Sequence, residues 1–174
     1  SFSGGLGFDH LYGDAADDFL DAGPDDDQLQ GGEGDDVLEG AEGDDLLNGA
    51  AGSDILRGGL GNDSYWGDSV DIIVENLDEG IDSVTTVISY TLGAHLEILD
   101  LSGTSAIDGT GNSLDNKLFG NGAANVLSGE QGDDILVGEG GNDSLLGNDG
   151  EDTLAGTAGS HLLTGGAGAD AFRD

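Results

Sequence analysis

A carboxylate returns at almost every ninth residue in two stretches of this chain. Asp9, Asp18, Asp27, Asp36, Asp45, Asp54 and Asp63 make the first column; Asn116, Asn125, Asp134, Asp143, Asp152, His161 and Asp170 make the second. Glycines crowd around them, as in the run from Gly31 to Gly40 that holds Asp35 and Asp36. Carboxylates next to the carbonyls of flexible turns are hard oxygen donors, suited to holding a divalent cation. Carboxylates also serve as general acids and bases, but their density here is no evidence of that role. The chain has no Gly-x-Ser-x-Gly, phosphate loop, HExxH or cysteine, so catalysis is not expected of it. His161 has no second His, Cys or Glu at zinc-ligand spacing and reads as a decayed repeat position. His10 and His95 are expected to be exposed.

The elements that must position these columns follow from the same period. Aligned on glycine, the first stretch runs GGLGFDHLY, GDAADDFLD, AGPDDDQLQ, GGEGDDVLE, GAEGDDLLN, GAAGSDILR, GGLGNDSYW from Gly4 to Trp66. The second runs GNSLDNKLF, GNGAANVLS, GEQGDDILV, GEGGNDSLL, GNDGEDTLA, GTAGSHLLT, GGAGADAFR from Gly111 to Arg173. Position eight is large and apolar throughout: Leu in every unit except Tyr65 and Phe172. One apolar residue in nine is too sparse for a helix stripe. It fits a six-residue turn followed by a three-residue strand whose middle side chain points inward. Stacked, such units coil into a solenoid of two thin parallel sheets with leucines between them. Position one is glycine except at Ala22, and the glycines are expected to supply turn conformations with positive φ.

Composition removes other classes of partner. With 37 acidic and 3 basic residues and a formal charge of −34, the chain lacks the basic clusters that nucleic acid requires. An anionic membrane surface is disfavoured for the same reason, and no apolar run is long enough for membrane insertion. Low hydrophobicity and high charge place the cation-free chain near disordered compositions. No disulfide can staple it. It begins Ser1-Phe2-Ser3 and reads as a segment of something longer.

The GGxGxDxUx pattern, with U large and apolar, resembles the RTX, or hemolysin-type, calcium-binding repeat. Residues 67–110 are similar to segments found between such blocks: "VEN" at 74–76, "EGIDSV" at 79–84, "SYTL" at 89–92 and "GTGN" at 109–112. The resemblance implies an all-β parallel β-roll, a right-handed β-solenoid stabilised by stacked Ca2+ ions. Each ion is expected between two turns eighteen residues apart, held by position-six side chains and turn carbonyls. One edge would use Asp9, Asp27, Asp45 and Asp63, and the other Asp18, Asp36 and Asp54. In the second block the rows are Asn116, Asp134, Asp152, Asp170 and Asn125, Asp143, His161. Counting gives about five sites per block and about ten ions. Asparagine brings no charge and imidazole suits calcium poorly, so the Asp143 to His161 position is the expected weak site. Asp25 replaces glycine at position four after Pro24, where a distorted turn is expected.

Three regions are expected: a first repeat block at 1–66, a β-rich segment at 67–110 continuing the solenoid in wider coils, and a second block at 111–174. Strands in the middle segment are expected near 72–75, 82–88 and 96–101. Outward Phe119, Ile135, Val137, Val126, Leu146 and Leu162 suggest an apolar surface covered by a neighbouring segment. Terminal coils need caps, none is evident beyond Ser1-Phe2-Ser3 or Asp174, and end-to-end self-association is an expected consequence.

By resemblance, the function is that of a calcium-binding module in a larger secreted bacterial protein. The chain would pass a one-step (type I) secretion channel unfolded and fold outside on meeting Ca2+, supporting secretion and extracellular folding. The rivals are a calcium-stiffened stalk of a surface adhesin and a carbohydrate-binding accessory module of a polysaccharide-acting enzyme. The last needs aromatic residues on one face, whereas Tyr12, Trp66, Tyr90 and Phe119 look scattered.

Overall fold

Leu20, Leu38 and Leu56 stand opposite one another in neighbouring parallel strands, one coil of eighteen residues apart. That register repeats along both stretches of nonapeptides. The computed structural model describes residues 1–68 and 70–173, so Asp174 lies outside the described residues. Among those residues it is all β, with every strand pair parallel and no helix, including none long and apolar enough to cross a membrane. The chain divides into two compact units, Ser1–Val84 and Thr85–Asp174, each a parallel β-solenoid.

In the first unit one sheet stacks Phe2–Ser3, Phe19–Pro24, Val37–Glu42, Ile55–Leu60 and Ile72–Ile73. Its opposite number stacks His10–Ala15, Gln28–Glu33, Leu46–Ala51 and Ser64–Trp66. In the second unit Tyr90–Thr91, Gly109–Thr110, Val126–Gln131, Ser144–Asp149 and Leu162–Ala167 form one sheet. Ile98–Leu101, Lys117–Phe119, Ile135–Val137, Thr153–Ala155 and Ala171–Arg173 form the other. Between the nonapeptide stretches the strands are Ile72–Ile73, Ser83–Thr86, Tyr90–Thr91, Ile98–Leu101 and Gly109–Thr110. Rungs there depart from eighteen residues: Asp54 pairs seventeen on, and Asp63 nineteen on.

Position eight forms the cores. Leu11, Leu20, Leu29, Leu38, Leu47, Leu56 and Tyr65 are buried in the first unit, as are Leu118, Leu127, Leu136, Leu145 and Leu154 in the second. Each buried leucine contributes about 2 kcal/mol. Leu163 is half-buried, and Phe172 is exposed on the last strand.

One sequence expectation is corrected and another is located more closely. Strands in the first unit are mostly six residues long, as in Val37–Glu42, and turns are three, as in Gly43-Asp44-Asp45. Positions one to three continue the strand because their backbone groups also pair between coils: Ala41 sits opposite Gly59, and Glu42 opposite Leu60. The positive φ expected of the glycines is present, but away from position one, where glycine provides space instead. It faces inward, and a Cβ on Gly4 would lie 2.6 Å from Asp9 Oδ2; the same collision with the repeat's own aspartate recurs at Gly31, Gly40, Gly49 and Gly129. Positive φ falls at position two, at 117° in Gly32 and 90° in Ala41, and at position four, at 131° in Gly34 and 134° in Gly43. Asp25 holds that position at 85°, so the turn after Pro24 keeps the common form.

The outward columns also differ between faces. In the first unit Tyr12, Gln30, Asn48 and Trp66 stand in register on successive strands, beside His10, Gln28, Leu46 and Ser64. Tyr12 and Trp66 are therefore on one face and not scattered. In the second unit Val126, Ile135 and Leu162 are exposed, while Phe119, Val137 and Leu146 are half-buried.

Candidate metal centre

Each three-residue turn presents its position-six side chain to the inside of the coil, where the solenoid stacks it on the turn eighteen residues away. The backbone N–H of Asp9 donates to Asp27 Oδ1 at 2.7 Å, that of Asp27 to Asp45 at 2.7 Å, and that of Asp45 to Asp63 at 2.8 Å. On the other edge Asp18 donates to Asp36 and Asp36 to Asp54, both at 2.8 Å. Both rows run past the nonapeptides, Asp63 donating to Asp82 at 2.8 Å and Asp54 to Asp71 at 3.2 Å. In the second unit Asn116 donates to Asp134, Asp134 to Asp152, and Asp152 to Asp170, at 2.7, 2.9 and 3.2 Å. Asn125 donates to Asp143 at 2.9 Å.

One oxygen of each carboxylate after the first in its row is thus used. The other is not: Oδ2 of Asp9, Asp27, Asp36, Asp45, Asp54, Asp63, Asp134 and Asp152 is buried with no hydrogen-bond partner. Burial, reinforced by neighbouring carboxylates and opposed by the backbone hydrogen bond, pushes Asp45 and Asp54 up to about 6 and Asp63 and Asp134 up to about 7. Asp27 and Asp152 are raised for the same leading reason. Anionic oxygens removed from water without a donor call for a cation or a proton. Oxygen-only donors with flexible carbonyl-rich turns fit Ca2+.

Other members of the columns are placed differently. Asn116 and Asn125 have their amides fully engaged: Asn116 Oδ1 accepts Asn112 N–H and Nδ2 donates to the Leu96 carbonyl, while Asn125 Oδ1 accepts Asn121 N–H and Nδ2 donates to the Ile107 carbonyl. Asp18 and Asp170 at the row ends are half-buried, and Asp18 Oδ1 lies 3.6 Å from the Ser1 ammonium. His161 stands where a carboxylate would: its Nδ1 accepts Asp143 N–H at 3.4 Å and lies 3.1 Å from Asp143 Oδ2. His10 is exposed, whereas His95 is half-buried in a turn at φ 64°.

Two features escaped sequence reasoning. Position-five side chains form a second, exposed ladder in the opposite sense: Asp17 accepts Asp35 N–H, Asp26 accepts Asp44 N–H, and Asp35 accepts Ser53 N–H. The signal was the abundance of Asp and Asn in that column. Asp63, Glu75 and Asp82 also form a buried group, each offering a ligand oxygen within 4.8 Å of the others. Glu75 Oε1 receives the Tyr65 hydroxyl, and Glu75 is pushed up to about 8, chiefly by burial. Burial and that carboxylate drive the Tyr65 phenol above its ordinary range.

A parallel β-solenoid with inward rows of half-satisfied carboxylates defines a class of metal-loaded repeat proteins. The profile of the RTX calcium-binding nonapeptide repeat matches in four copies, at residues 1–29, 30–65, 110–145 and 146–173. The chain belongs to this family. Membership makes it a calcium-binding module of the kind that secreted proteins carry, and the family is structural and not enzymatic. The comparison with curated proteins finds no match.

Proposed function

We propose that Ca2+ ions fill the space between position-six side chains eighteen residues apart, completing a fold that the ion-free chain does not hold. The observation that carries this reading is the row of buried Oδ2 atoms without partners. Asp9, Asp27, Asp45 and Asp63 serve one edge of the first unit and Asp18, Asp36 and Asp54 the other. Asp134, Asp143, Asp152 and Asp170 serve the second unit. Asn116 and Asn125 close the start of its rows, their NH2 groups standing where an ion would otherwise neutralise a carboxylate. The chain crosses a one-step bacterial secretion channel unfolded and folds outside the cell, supporting export and folding of a larger protein. A far-ultraviolet circular dichroism titration from excess chelator is expected to show cooperative appearance of β-structure with Ca2+ and none with Mg2+. A spectrum already folded in chelator would sink the proposal.

A second reading has a specific observation behind it. Tyr12 and Trp66, with Gln30 and Asn48 between them, border an open groove of about 120 Å³. The eight outward residues on these strands at positions seven and nine include no carboxylate, in a chain of net charge −34. Aromatic faces and planar amides without charge suit a neutral linear polysaccharide. The calcium-loaded chain is then expected to be retarded in gels containing a neutral glucan, and Trp66→Ala to lose at least tenfold in affinity. Equal retardation of the variant, or none of the parent, excludes this reading.

A further inference from the structure

We propose that Asp63, Glu75 and Asp82 form an additional calcium site that is not part of the nonapeptide pattern, with Tyr65 as the residue that sets the Glu75 carboxylate. The site deepens the calcium reading and rests on it. Oxygens bound to one Ca2+ at about 2.3–2.6 Å are at most about 5 Å apart, and the three ligand oxygens here lie within 4.8 Å of one another. All three residues are buried, at 1 %, 7 % and 1 % exposure. Asp63 Oδ2 and Glu75 Oε2 are buried without partners. A surface patch of acids would have water on those two atoms; here they are closed off from it.

Three departures from the repeat coincide at this point. Position eight is leucine in every other unit of the first stretch, but Tyr65 here. Its hydroxyl accepts Gly58 N–H at 2.6 Å and donates to Glu75 Oε1, a use no leucine could serve. The coil lengthens to nineteen residues, which brings Asp82 onto Asp63. Glu75 enters just after strand Ile72–Ile73, supplying a third carboxylate where the repeats supply two. The donors are all oxygen, with no imidazole or thiolate, so zinc is a poor match. Mg2+ demands near-ideal octahedral geometry, while Ca2+ tolerates an irregular set completed by carbonyls or water.

Native mass spectrometry of the calcium-loaded chain counts ions, and its charge-state envelope reports folding. Glu75→Gln is expected to carry one ion fewer than the parent, and Asp78→Asn, which removes a nearby exposed carboxylate, the same number as the parent. If Glu75→Gln does not fold, Tyr65→Phe decides with terbium(III) in place of calcium. Loss of the tyrosine-sensitised emission that calcium displaces from the parent supports the site, and unchanged emission overturns it. A folded Glu75→Gln with a full complement of ions overturns the site and leaves the calcium reading intact. A parent that takes up no calcium overturns both.

Discussion

Asp45→Asn is expected to act with opposite signs according to whether calcium is present. Asp45 is 2 % exposed; its Oδ1 accepts Asp27 N–H and its Oδ2 has no partner. Asparagine can keep the acceptor, and it removes a buried charge; Asn116 and Asn125 are uncharged at the same repeat position. Without calcium the substitution therefore stabilises the fold, by about 1–3 kcal/mol. With calcium it removes a charged ligand from the middle of a row, and the folding midpoint should rise at least tenfold, or about 1.4 kcal/mol. Because the ion-free parent is expected to be unfolded, its stability is read as the trimethylamine N-oxide concentration needed to fold it in chelator. Asp45→Asn should need less of that osmolyte and more calcium. A shift of the same sign in both titrations would exclude ion binding at this row.

Acid should do part of calcium's work. Asp45, Asp54, Asp63, Asp134 and Glu75 have folded-state values of about 6 to 8, well above those of unfolded carboxylates, mainly because they are buried. The ion-free fold binds protons more tightly than the unfolded chain. Its stability is thus greatest near the unfolded value of about 4 and is lost as pH rises through 6 to 8. In calcium-free buffer the β signal should grow between pH 8 and pH 5.5. Calcium affinity should move the other way, weakening over the same range because protons compete for the ligand oxygens. Ion-free stability that climbs with pH would contradict both the burial of these carboxylates and their pairing with cations.

The solenoid was legible because a period of nine admits few alternatives, and because leucine marks the inward position without ambiguity. The alignment of Asp27 on Asp45 on Asp63 follows from the period alone. What the carboxylates do between turns does not, since one oxygen is spent on the backbone of the preceding coil and only coordinates separate Oδ1 from Oδ2. Crowding and backbone freedom both select glycine, and spacing does not separate them: Gly32 and Gly34 have positive φ, whereas Gly4 answers to crowding, with Asp9 where a Cβ would stand. Tyr65 passed for one more apolar residue in its column, and Glu75 sat in a segment without periodicity. Their meeting is a tertiary fact that spacing cannot encode.

The two opposed ladders bear on how the molecule assembles. A position-six carboxylate takes its N–H from the coil before, and a position-five carboxylate takes one from the coil after. No coil can therefore satisfy itself, and each new coil finds its partners already in place on the preceding one. Such a chain orders like a one-dimensional lattice, with a costly first contact and cheap additions. The sharpness of its response to calcium then becomes a matter of length: removing whole coils in steps of eighteen residues would flatten the transition before it abolished binding.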